Sequence, residues 1–104
     1  MTINLSGEFD DTHDDNYLSA VIAVGTTQVE AKVGGSIMDD REMVMAHNDS
    51  NSTVYYGPTG VTTTGVNKGI PLFRNQTMAL MIKGLSLYFI ADSVDNNIIV
   101  QEIG

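Results

Sequence analysis

A chain of 104 residues, 42% hydrophobic and 17% charged, has the size of one packed domain and is too apolar to stay disordered. With no cysteine it can hold neither a disulfide framework nor a thiolate metal site. Its formal charge of −8 sets up a field that repels nucleic-acid phosphates and anionic lipid, so direct partners of either kind are not expected. The start MTINLSGEFDD lacks the basic and apolar regions of a signal peptide, and no apolar run approaches the roughly 20 residues of a membrane span. The expectation is a soluble chain made in a cytoplasm.

Residues 1–16 carry five acids, Glu8, Asp10, Asp11, Asp14 and Asp15, and few apolar anchors, among them Phe9. Such a run repels itself, and it reads as an acidic arm that lies on the surface or orders on a partner. The domain is expected over 17–104. LSAVIAV, from Leu18 to Val24, is continuously apolar and suits a strand covered on both faces or one at a subunit contact. In TQVEAKV, Val29, Ala31 and Val33 alternate with Gln28, Glu30 and Lys32, the pattern of a strand with one face in the core and one in water.

Met38, Arg41, Glu42 and Met45 fall at helical spacings, but REMVMAHN alternates, with Met43, Met45 and His47 on one face and Glu42, Val44, Ala46 and Asn48 on the other. It is read as a strand, followed by a turn at NDSNS. VYYG is a strand whose two tyrosines point to opposite faces, one inward and one outward as an amphipathic contact ring. Gly57-Pro58-Thr59-Gly60 reverses the chain, and Pro71 keeps Ile70 extended. QTMALMI, LSLYFIAD and NIIVQEIG are three more strands, with Leu85, Leu87, Phe89 and Ala91 on one face and Asp92 and Asp95 serving a hairpin. The strand methionines Met43, Met45, Met78 and Met81 are expected to fill core gaps, although Met81 lies opposite Met78 and can be partly exposed. Seven or eight short strands and no convincing helix predict an all-β domain, an antiparallel β-sandwich or small barrel.

Catalytic groups do not assemble in this pattern. His13 lies in the acidic arm and His47 late in a strand, with no nucleophile paired to either. Asp10, Asp11, Asp14 and Asp15 are clustered without the spacing of a calcium loop. Gly57, Gly60, Gly65 and Gly69 precede no G-K-[ST] and no helix, and turns account for them. The reading is a non-enzyme with no cofactor.

The stretch MVMAHNDSNSTVYYGPTGVTTTGVNKGIPL, followed by QTMALMI, LSLYFIA and IIVQEIG, resembles small β-sandwich domains of tailed-bacteriophage virion proteins over roughly Ser19 to Gly104. Such domains serve as capsid decoration or cement proteins, as head-fibre or tail-fibre modules, or near the head-to-tail junction. The resemblance implies a virion structural protein assembled in the host cytoplasm, foremost a decoration protein that binds the major capsid protein or another virion protein. A homo-oligomer or symmetric lattice is implied with it; a connector or tail subunit and a receptor- or carbohydrate-binding fibre module are the alternatives. Two departures from the style mark candidate contacts: the arm, with Glu8, Phe9, Asp10, Asp11, Asp14 and Asp15, and the loop Val66, Asn67 and Lys68. Tyr55 and Tyr56 are the aromatic candidates beside that loop.

Overall fold

A computed structural model of the chain describes residues 17–104. Eight strands follow in order: β1 (Tyr17–Val24), β2 (Val29–Glu30), β3 (Met43–Asn48), β4 (Val54–Gly57), β5 (Ile70–Leu72), β6 (Thr77–Leu80), β7 (Tyr88–Ala91) and β8 (Asn96–Ile103). No helix occurs among the described residues. β1 pairs with β8, β2 with β7, β3 with β6 and β4 with β5, all antiparallel, as in one long ribbon folded back on itself. Pairing of β3 with β8 and of β4 with β7 then zips the ribbon into two four-stranded sheets, β1-β8-β3-β6 and β2-β7-β4-β5. This β-sandwich has the connectivity of a jelly roll.

Alternation explains how the sheets close. Val44, Ala46 and Asn48 of β3 and Asn96, Ile98, Val100 and Glu102 of β8 are buried on the inner face of the first sheet. Val54, Leu72, Phe89 and Ala91 meet them from the second. Phe89 and Ile98 are the largest of the wholly buried apolar side chains.

Several expectations are corrected by this packing. β2 is only Val29–Glu30, although Val29, Ala31 and Val33 do face inward as the alternation requires. The ladder stops because side chains take its backbone groups: Ala31 O accepts from Arg41 Nη1 at 3.0 Å, and Val33 N donates to Glu102 Oε1 at 2.9 Å. Leu85 leaves the inner-face series and is 71% exposed, since Lys83 adopts φ 53° and Leu85 N turns back to Ile82 O. Residues 92–95 are no hairpin but a crossover from the second sheet to the first. Asp95 takes φ 63° there, and Asn96 Nδ2 closes the turn on Ser93 O at 2.8 Å.

Met78 is buried in the core, but Met43 and Met45 lie half-buried on the opposite face of their sheet. Met81 is 69% exposed, in keeping with its position opposite Met78. β1 is the outermost strand of its sheet with one exposed face, so it is not covered on both sides. The GPTG reversal stands as expected: Val61 N donates to Pro58 O at 3.1 Å and Gly60 takes φ 88°, as a type II turn needs.

Candidate interaction surface

Register places Tyr17, Ser19, Val21 and Ala23 of β1 beside Ile103, Gln101, Ile99 and Asn97 of β8. Ile103, Gln101 and Ile99 in turn lie beside Met43, Met45 and His47 of β3, and Met45 and His47 beside Ala79 and Thr77 of β6. These side chains form the outer face of the first sheet, because their alternate neighbours are the buried ones. None is an Asp, Glu, Lys or Arg, although residues 17–104 contain eight acids and five bases. An uncharged sheet face of this extent is unusual on an acidic chain, where charge normally keeps the outer face of a sheet in water.

The polar groups on this face largely satisfy one another. Tyr17 OH donates to Gln101 Oε1 at 2.9 Å, Gln101 Nε2 reaches Ser19 Oγ at 3.4 Å, and His47 Nδ1 is hydrogen-bonded to Thr77 Oγ1 at 2.7 Å. A shallow hollow of about 200 Å³ opens between Met45, His47, Thr77, Ile99 and Gln101. Methionine beside such a hollow can adapt to a partner's shape, and little polar surface must be stripped of water to cover it. Next to the Met43 end of β3, exposed Lys83 and Glu42 approach to 3.9 Å.

The outer face of the second sheet is different. Tyr55 is paired with Pro71 on β5 and Ile90 on β7, and Lys68 Nζ sits 5.6 Å from its ring centroid, a cation–π contact. Glu30 joins this face, bound by Ser86 Oγ at 2.8 Å and by Lys32 Nζ at 3.4 Å.

Between β4 and β5 the threonine-rich segment forms a braced tip. Thr62 N donates to Asn67 O and Gly69 N to Thr62 O, Lys68 N reaches Gly65 O, and Thr62 Oγ1 reaches Thr64 O at 2.7 Å. Gln28 ties its base by accepting from Gly60 N at 2.8 Å. The result is a closed loop that holds Val66 fully in solvent. Gly69 is required for it: a Cβ there would lie 2.6 Å from Val61 Cγ2 and 2.7 Å from Tyr56 O.

Behind these surfaces lies a polar lock. Arg41 and Glu102, both side chains wholly buried, form an ion pair at 2.9 Å. Arg41 also donates to Ala31 O, Lys83 O and Leu85 O, while Glu102 accepts from Val33 N and Met38 N. Apart from the bond between them, these hydrogen bonds run to backbone, so the pair fixes the segments 31–38 and 83–85. Among the described residues, no group of three or more His, Cys, Asp or Glu side chains could hold a metal ion.

The contact residues read from the sequence are only partly brought together. Glu8, Phe9, Asp10, Asp11, Asp14 and Asp15, with His13, lie outside the described residues. Val66, Asn67 and Lys68 are exposed on the tip, with Tyr55 beneath Lys68. Tyr56 is the inward tyrosine, packed against the core, and lines an apolar hollow with Ile70, Leu80, Ile82 and Leu85 where the sheets part. The uncharged face of the first sheet was not among those candidates. Its signal is present as alternate positions without a charge in four strands, Tyr17 to Ala23, Met43 to His47, Thr77 to Ala79 and Asn97 to Ile103.

Comparison with protein-family models, with curated proteins and with solved structures finds no match to this chain.

Proposed function

We propose that this protein is a structural component of a tailed-bacteriophage virion, a decoration protein that lies on the capsid exterior and reinforces it by bridging neighbouring subunits. The observation that carries the docking part of this reading is the uncharged outer face of β1-β8-β3-β6, with its self-satisfied polar groups and central hollow. The virion setting is drawn from the sequence style of the stretch Thr53 to Leu72 and its flanking strands. Jelly rolls serve viral capsid domains, lectins and cupins alike, so the fold leaves the function open.

In this role the first sheet lies flat on the capsid, and the braced tip with Val66, Asn67, Lys68 and Tyr55 stands away from it or touches an adjacent subunit. A small domain gains stability on a lattice because each contact is repeated by symmetry and binding favours the folded state. The protein performs no reaction and needs no cofactor.

The test is co-sedimentation of the purified full chain with expanded phage capsids that lack a decoration protein. Saturable binding at a fixed number of copies per capsid supports the reading. Indifference to capsids with formation of closed rings in solution would transfer the protein to the head-to-tail connector, and binding to cells or glycans would transfer it to a fibre.

A further inference from the structure

Each sheet has two edges, and three of the four are blunted. β2 has two residues, β5 has three and includes Pro71, which offers no amide hydrogen, and β6 has four and runs out before Lys83 at φ 53°. β1 has none of these devices. It is eight residues long, contains no proline and no charge, and matches β8 one-to-one from Tyr17 to Val24 without a bulge. Among the described residues β8 is the one strand that pairs with it, so its other side presents a row of backbone donors and acceptors. Such a row is matched by another extended chain.

We infer that β1 is a dimerisation edge: two copies of the chain pair antiparallel along Tyr17–Val24 about a two-fold axis, giving the sheet order β6-β3-β8-β1-β1-β8-β3-β6. Directly opposite residues of antiparallel strands share a face, so the centred registers pivot on Ala20 or on Val21. Pivoting on Val21 sets Ser19 against Ala23 on the outer face and Ala20 against Ile22 on the inner one. Pivoting on Ala20 sets Ser19 against Val21 and Leu18 against Ile22. Neither register opposes like charges, which is the usual obstacle to self-pairing of an acidic protein. The contact is isologous and consumes the long edge of both copies, leaving the blunted edges β6, β2 and β5 of each, so it closes at two. It also joins two uncharged outer faces into one continuous surface. The inference does not depend on what that surface binds.

The experiment is sedimentation equilibrium of the full chain over a wide concentration range, with Val21→Lys, Val21→Glu and Val21→Thr beside the natural protein. Val21 is 62% exposed and points outward, so each change is accommodated by the monomer. The natural protein and Val21→Thr are expected at twice the 11.2 kDa chain mass. Each charged variant dissociates, its dimer weakened roughly tenfold or more at low salt. An equimolar mixture of the Lys and Glu variants recovers the dimer, because position 21 of one copy faces or lies diagonal to position 21 of the other. Hydrogen exchange on the natural protein gives a second readout: β1 amides that point away from β8 are protected at concentrations where the dimer forms and exchange rapidly on dilution. A natural protein that stays monomeric at its highest concentration overturns the inference. So does a dimer that ignores both charges, fails to recover on mixing, or leaves alternate β1 amides unprotected.

Discussion

Arg41 and Glu102 meet at 2.9 Å with neither side chain touching water, joining the segment before β3 to the last strand across most of the chain length. Burial of two charges is costly in itself, and an isolated buried pair can often be replaced by apolar side chains without loss. Here the pair also satisfies three carbonyl oxygens and two amides of irregular backbone. Apolar replacement would strand those groups.

Glu102→Ala is therefore expected to lower stability by about 3–5 kcal/mol, the cost of leaving a buried guanidinium unpaired. The double replacement Arg41→Met with Glu102→Leu is expected to recover little of it, because Ala31 O, Lys83 O, Leu85 O, Val33 N and Met38 N stay unsatisfied. Urea unfolding of the single and double variants checks this. A double variant as stable as the natural protein would show that the backbone groups find other partners.

Asn48 performs a similar task at the opposite end of β3. Its Nδ2 donates to Ser52 O at 2.7 Å and Leu72 O at 2.8 Å, while Oδ1 accepts from Ser50 N at 2.9 Å and Ser50 Oγ at 2.6 Å. Asn48→Asp keeps the acceptor but aims a carboxylate at two carbonyl oxygens. We expect it to cost more than Asn48→Ala, itself worth about 1–3 kcal/mol through the carbonyls left unpaired. Thermal unfolding of the two variants ranks them, and an Asp variant as stable as the Ala variant would contradict the geometry.

The glycines of the chain separate into those that geometry demands and those it does not. Gly69→Ala drives a methyl into Val61 Cγ2 and the Tyr56 backbone, whereas Gly34→Ala meets nothing within 4 Å. The first is expected to destabilise by about 1–3 kcal/mol and to disturb the tip that carries Val66. The second is expected to stay within about 0.5 kcal/mol of the natural protein. Paired denaturation curves test the contrast.

Alternation carries the architecture in the sequence: it sets Val44, Ala46 and Asn48 apart from Met43, Met45 and His47, and groups Phe89 with Ala91, and these sets are the buried faces of their strands. It failed where side chains, not strands, satisfy the backbone. Nothing local to Leu85 or to Ala31 and Val33 shows that Arg41 and Glu102 claim the neighbouring carbonyls and amides, since those partners lie far along the chain. Glu102 in particular reads as a charge in a terminal strand and becomes a wholly buried group only when the sheets close. Residue type points Met43 and Met45 to the core, but alternation alone does not say which face is inner, and the structure puts Val44 and Ala46 there instead. The candidate face eluded residue-type reasoning for the same reason: it is defined by what four strands lack, and only the register brings those strands side by side.

Ala79 and Thr77 of β6 are both exposed on that face, beside Met45 and His47. Lysine at either position extends into solvent, so the fold should change by no more than about 0.5 kcal/mol at Ala79 and by about 1 kcal/mol at Thr77, whose hydrogen bond to His47 is lost. A single uncompensated charge within a dry protein contact must be stripped of water when the contact forms, at a cost of several kcal/mol. We therefore expect Ala79→Lys and Thr77→Lys to remain folded and to lose capsid attachment by more than tenfold, whereas Val66→Lys on the braced tip weakens it far less. Co-sedimentation of the three variants with capsids decides the matter. If the tip variant fails while the sheet variants bind normally, the contact lies on the loop with Val66, Asn67 and Lys68, and the uncharged sheet faces something other than the capsid.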